Sequence, residues 1–129
     1  MTNAPKLIYI AGPFSAPTRE GVERNIERAA LVGVEVARLG AMPVIPHCNT
    51  AHPAFEHVQP YDFWIAGTLS LMLSCDAVLL MAGWEHSNGA RGEKEAADRC
   101  GMPVFHSIQE LESWLSNYTR TKPVESTEP

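Results

Sequence analysis

Cysteine is scarce in this chain, and what is there does not pair. Cys48, Cys75 and Cys100 are an odd number at wide spacing with no CxxC motif. Neither a disulfide framework nor a cysteine-rich zinc site is indicated, and the apolar neighbours of all three mark them as buried free thiols. Net positive charge is also missing, since 10 Lys and Arg against 15 Asp and Glu leave −5. Without clustered basic side chains to displace counterions, a broad nucleic-acid-binding surface is excluded, whereas a small anionic ligand needs only one local pocket. Long apolar runs are absent too. Pro, Gly or charge interrupts each one well short of the ~20 residues that span a bilayer, and the opening MTNAPK lacks the apolar region of a secretory signal. The expectation is a cytoplasmic protein that binds no membrane. The five histidines show no HxxxH or HxH spacing, and no zinc-deaminase pattern is present, so neither metal nor cofactor is expected. GxGxxG and GxxxxGK[ST] are missing as well, which removes support for a dinucleotide fingerprint or a P-loop.

What remains is a length of 129 residues, 45% of them hydrophobic, suited to one domain with its own core. Lys6 to Ala11 (KLIYIA) is a short β-branched and aromatic run closed by Gly12-Pro13, as in a buried strand followed by a loop. From Thr18 the period changes. Val22, Ile26, Ala29, Ala30, Val34 and Ala37 recur at helical spacing up to Gly40 and predict an amphipathic helix. Ala41 to Pro46 reads as a second strand, His47 to Pro60 as a long loop, Tyr61 to Ser74 as a helix and Ala77 to Met81 as a third strand. A glycine-rich loop over Ala82 to Gly92 precedes a helix from Glu93 to Cys100, a strand from Pro103 to His106, and an amphipathic helix from Ile108 to Tyr118. Strands alternating with helices predict an α/β single-domain Rossmann-like (flavodoxin-like) fold: a parallel sheet of four to five strands with helices on both faces, over residues 1–118. Residues 119–129 are polar and contain proline, as a flexible tail would be. In such a sheet ligands bind beyond the carboxyl ends of the strands. The loops after Ala11, Pro46 and Met81 are therefore expected to converge on one crevice.

Each loop carries candidates. Gly12, Pro13 and Phe14 lie between a strand and a helix, where free N–H groups and the helix dipole favour a polar or anionic ligand; a plain turn is the alternative. In the third loop, Ser87, Asn88, Gly89, Arg91 and Gly92 put hydrogen-bonding groups and little bulk before Glu93. Glycines there let ligand approach the backbone, and a carboxylate at a helix start is favoured in its ionised form, as a nucleophile needs. The alternative is that Glu93 merely complements the dipole. Glu95, two residues on, should face away from Glu93. His47, just past a strand, has a pKa suited to proton transfer, or is a surface loop histidine. Phe14 and Trp84 could stack on a planar ligand or pack at the edge of the core.

Tyr9-Ile10-Ala11-Gly12-Pro13-Phe14, Asp76 before an apolar strand, and Ser87-x-Gly-Ala-x-Gly-Glu93 followed by Gly101-Met-Pro-Val together resemble the nucleoside 2-deoxyribosyltransferase superfamily. The resemblance spans Lys6 to His106, is greatest to a small bacterial and phage branch, and extends to nucleoside 5′-monophosphate N-glycosidases. It implies that Glu93 attacks the anomeric carbon to form a glycosyl ester as the base departs, and that water or a second base then takes the sugar. It further implies Asp62, with Tyr61, at the position that meets the base. For a substrate with a 5′-phosphate, Ser87 and Gly89 would be contacts and Arg19 or Arg91 would supply charge. A homo-oligomer, dimer or larger, is implied as well. The other class of reading is a non-catalytic nucleotide-binding or sensing module on the same fold. A phosphoribohydrolase of the cytokinin-activating type is set aside because its PGGxGTxxE signature is absent.

Overall fold

The structure, a computed structural model, describes residues 4–121, with side chains described as far as residue 117. Four parallel strands form the sheet: β1 (Leu7–Ala11), β2 (Met42–Val44), β3 (Ala77–Leu80) and β4 (Val104–Phe105), in the spatial order β2-β1-β3-β4. β1 pairs with β2 from Leu7↔Met42 and with β3 from Ile8↔Ala77. The chain steps outward from β1 to β2, then returns past β1 to lay down β3. The direction of winding thus reverses between β1 and β3, and that is where an open α/β sheet parts into a ligand crevice.

Between the strands lie helices α1 (Arg19–Arg38), α2 (Pro46–Asn49), α3 (Tyr61–Leu73), α4 (Asn88–Arg99) and α5 (Ile108–Thr121). The two-residue period of β1 sorts its side chains into two cores. Ile8 and Ile10 join Ala29 and Val36 of α1 and Leu111 of α5, while Tyr9 and Ala11 join Met72 of α3 and Ala96 and Ala97 of α4. The α/β class, the parallel sheet and the helices on both faces are as the sequence predicts, with four strands.

The differences have local causes. α1 buries Gly21, Asn25, Ala29, Gly33 and Val36, while Val34 of the expected apolar face is exposed, as is Leu31. At Gly33 the packing leaves no room for a side chain, since a Cβ there would lie 2.5 Å from Cδ1 of Ile45. The stretch read as one long loop contains α2, started by Pro46 at its first turn, and a 3₁₀ turn at Pro53–Phe55. α4 begins five residues before the expected start because Ser87 caps it, its Oγ accepting the N–H of Ala90 at 3.1 Å. α5 continues to Thr121; residues 122–129 of the expected tail lie outside the described residues. Cys48 and Cys100 are exposed and Cys75 half-buried, because the first two stand at helix ends rather than within the apolar faces. No helix among the described residues is long and apolar enough to cross a membrane.

Gly12 ends β1 where a side chain has no room, since a Cβ there would come within 2.8 Å of the Cβ of Met81 at the end of β3. Gly12→Ala is expected to cost about 1–3 kcal/mol through overpacking, read as a lowered midpoint in urea unfolding. An unchanged midpoint would show that the two strand ends are free to spread.

Candidate active site

The three expected loops do meet. Pro13 of the first lies against Gly83 of the third, where even an added Cβ would touch its Cγ at 3.5 Å. Phe14 of the first meets His47 of the second edge to face, with ring centroids 5.8 Å apart. Below this junction Tyr9, fully buried on β1, donates its hydroxyl hydrogen to Oε2 of Glu93 on α4 at 2.8 Å. This bond ties the central strand to the helix that follows β3, across the switch point.

Glu93 stands in the second turn of α4, beyond the first turn where the dipole acts most strongly. Burial therefore dominates and pushes its carboxyl up from the usual 4.5 to about 7, with the Tyr9 hydroxyl pulling part of the way back by bonding to the charged form. The expectation of a dipole-stabilised carboxylate is replaced by that of a half-desolvated one held by a phenol. Burial and the neighbouring Glu93 raise the Tyr9 hydroxyl far above its ordinary range, so it remains a donor. A carboxylate with one oxygen fixed by a neutral donor has the other free to meet an electrophile. Glu95 faces outward as expected, 79% exposed and 4.0 Å from Arg99.

The first loop is held from beneath. Nε2 of His47 bonds to the carbonyl of Pro13 at 2.9 Å, and the amide nitrogen of Asn25 donates to the carbonyls of Phe14 at 3.0 Å and Ser15 at 3.4 Å. Arg28 in turn donates to Oδ1 of Asn25 at 2.8 Å. In a trans peptide the C=O of one residue and the N–H of the next point in opposite directions. Drawing three successive carbonyls inward therefore turns the N–H groups of Phe14, Ser15 and Ala16 the other way, and no group among the described residues accepts from them. His47 is not a surface residue, and its Nδ1 has no hydrogen-bond partner among the described residues. It is buried, and desolvation lowers its pKa against the pull of the Pro13 and Gly12 carbonyls, with Arg28 adding to the lowering. The ring is a neutral support for the loop.

Other candidates are placed as follows. Phe14 stays 43% exposed above His47. Ser87 spends an acceptor lone pair on capping α4. Arg91 reaches back to the carbonyl of Glu85 at 2.8 Å and to the Asn88 side chain, bracing the loop from outside. Arg19, the first residue of α1, and Asp62 and Tyr61, the first turn of α3, are exposed at the crevice end of the sheet. Trp84 packs on the second core between the His106 ring at 5.8 Å and the Lys94 ammonium at 5.9 Å, the edge-of-core arrangement. Asp76 lies at the opposite end of the sheet, accepting the N–H of Leu7 at 2.7 Å, and serves the fold. Tyr9, which the sequence showed only as the first residue of the strand motif, and Asn25, which it did not single out, hold the candidate site together. Their signals are a lone hydroxyl in an apolar strand and a lone amide within a helical stripe of small residues. Among the described residues no group of three His, Cys, Asp or Glu is arranged to hold a metal.

A family model described as a domain of unknown function, DUF4406, matches residues 6–106. The chain belongs to this family. The matched span runs from the start of β1 past the end of β4, so the Tyr9–Glu93 pair and all three loops of this DUF4406 chain fall inside it. Among solved structures, a 2-deoxyribosyltransferase from the psychrotolerant bacterium Bacillus psychrosaccharolyticus has a similar fold, with a TM-score of 0.61 at 17% identity over 82% of this chain and 90% of that one. No curated protein matches the DUF4406 chain by sequence.

The raised pKa has a stability consequence. The folded state holds the Glu93 proton more tightly than the unfolded chain does, so this contribution is complete below pH 4.5 and is lost as pH rises through about 7. In Glu93→Gln that decline is expected to flatten over the same window. The measurement is the urea midpoint against pH for both proteins, and parallel curves would remove Glu93 as the titrating group.

Proposed function

We propose that this protein cleaves the N-glycosidic bond of a nucleoside or nucleoside 5′-monophosphate, with Glu93 as nucleophile. The observation that carries the reading is the buried Tyr9–Glu93 hydrogen bond at the strand switch point. It fixes Oε2 of the carboxylate, and Oε1, with no partner among the described residues, is the oxygen left to react. The fold shared with a 2-deoxyribosyltransferase supports the same class of chemistry.

In the first step the ionised Oε1 of Glu93 bonds to the anomeric carbon as the carbon–nitrogen bond to the base breaks, its electron pair leaving with the base. A carboxylate suits this step because the transition state resembles an oxocarbenium ion. A proton from Asp62 or Tyr61, exposed at the head of α3, neutralises the departing base. Water, or the nitrogen of a second base, then attacks the same carbon and releases Glu93. The outward N–H groups of Phe14, Ser15 and Ala16, with Arg19 close by in sequence at the start of α1, favour an anionic group on the substrate, which points to a 5′-phosphate. Phe14 offers a ring face for stacking.

Incubation with a panel of deoxynucleosides, ribonucleosides and their monophosphates, followed by chromatography for free base, tests the reading. Release is expected from at least one member, with kcat/KM falling below about pH 7 as Glu93 takes up its proton. Glu93→Gln, which keeps a partner for Tyr9, is expected to lose at least about a thousandfold in rate, whereas Glu95→Ala keeps its activity. Binding of monophosphates with no base released from any of them would overturn catalysis in favour of a nucleotide-sensing module.

A further inference from the structure

We propose that Asn25, held in one orientation by Arg28, is the positioning residue that makes the first loop select an anionic ligand over a neutral one. This rests on the reading of that loop as the seat of a phosphate group, and is independent of whether Glu93 cleaves the substrate.

The residues of the loop limit what it can offer. Between Gly12 and Thr18 runs Pro13-Phe14-Ser15-Ala16-Pro17. Proline has no backbone N–H, so the stretch owns three such donors, those of Phe14, Ser15 and Ala16. Each shares a peptide plane with the carbonyl of the residue before it. Those are the carbonyls bound from the inner side, Pro13 by Nε2 of His47 at 2.9 Å, Phe14 and Ser15 by Nδ2 of Asn25 at 3.0 and 3.4 Å. A carbonyl held inward turns the N–H of its own plane outward. Every plane of the loop that has a donor therefore shows it on the outer side, where the side chains of Phe14 and Ser15 are exposed.

Two of these planes depend on which end of the Asn25 amide faces them. Rotated end for end, the amide would set its own oxygen against the carbonyls of Phe14 and Ser15 and drive them apart. Arg28 prevents this. Three residues along the same face of α1, its guanidinium has donors only and lies 2.8 Å from Oδ1 of Asn25. Oδ1 must face it, so Nδ2 faces the loop, and its two hydrogens meet the two carbonyls. Among the described residues no carboxylate lies within ion-pair distance of Arg28 to draw it away. Hydrogen bonds to a charged acceptor are roughly twice as strong as those to a neutral one, so a loop whose donors all point outward favours an anion. With the amide reversed, carbonyl oxygens would replace them and repel it.

Inorganic phosphate titrated into the isotopically labelled full chain is expected to move the amide resonances of Phe14, Ser15 and Ala16. By calorimetry, a deoxynucleoside 5′-monophosphate is expected to bind at least about tenfold more tightly than its nucleoside. Asn25→Leu, similar in shape but without a donor, is expected to abolish the phosphate response and lower monophosphate affinity at least about tenfold, with nucleoside affinity held within about threefold. A merely structural role would weaken both ligands together and leave their ratio standing. Circular dichroism identifies a variant that has failed to fold, and Asn25→Ser, too short to reach both carbonyls, then decides. A wild-type loop silent to phosphate would overturn the anion seat and the role of Asn25 with it. A response and a ratio that survive in a folded Asn25 variant would overturn the role of Asn25 alone.

Discussion

One hydrogen bond organises the crevice end of this fold: the phenol of Tyr9 donating to Glu93. A carboxyl half removed from water is held back from ionising, and a neutral donor on one oxygen recovers part of that cost while fixing the group's direction. Because Tyr9 sits in β1, one of the two interior strands, and Glu93 on the helix after β3, the bond also spans the place where the sheet changes its direction of winding. Shifting the register of β1 by one residue would turn Tyr9 into the opposite core and leave Glu93 without its donor.

The first loop depends on a second constraint of the same kind. Buried polar groups are ordinarily paired, and here the amide of Asn25 and Nε2 of His47 find partners in the carbonyls of Pro13, Phe14 and Ser15, while Nδ1 of His47 is buried without one. Planarity of the peptide then dictates where the N–H groups go. The outer surface of the loop is thus determined from its inner side, by Asn25 and His47.

Close packing explains why so many positions around the site are small. Gly12 accommodates Met81, and Gly33 lets α1 settle on Ile45.

The alternation of strand and helix, the parallel sheet and the convergence of three loops were legible from periodicity and punctuation, since apolar pattern and Gly/Pro placement act locally. Glu93 was legible as a candidate because a carboxylate among small residues is unusual whatever surrounds it. The start of α4 was not, because Ser87 competes with the glycines after it and its cap is decided by geometry. Nor was the protonation of Glu93, which depends on burial by elements distant in sequence. His47 read as a loop residue and is a buried support; Trp84 read as a possible stacking surface and is held between Lys94 and His106. By itself the sequence determined the fold class and which carboxylate to watch, because both follow from residue type and local spacing. Tertiary structure alone decided that Tyr9, 84 residues away in the chain, is the partner of Glu93, because a hydrogen bond between distant residues is specified by strand register and helix packing, not by any local pattern.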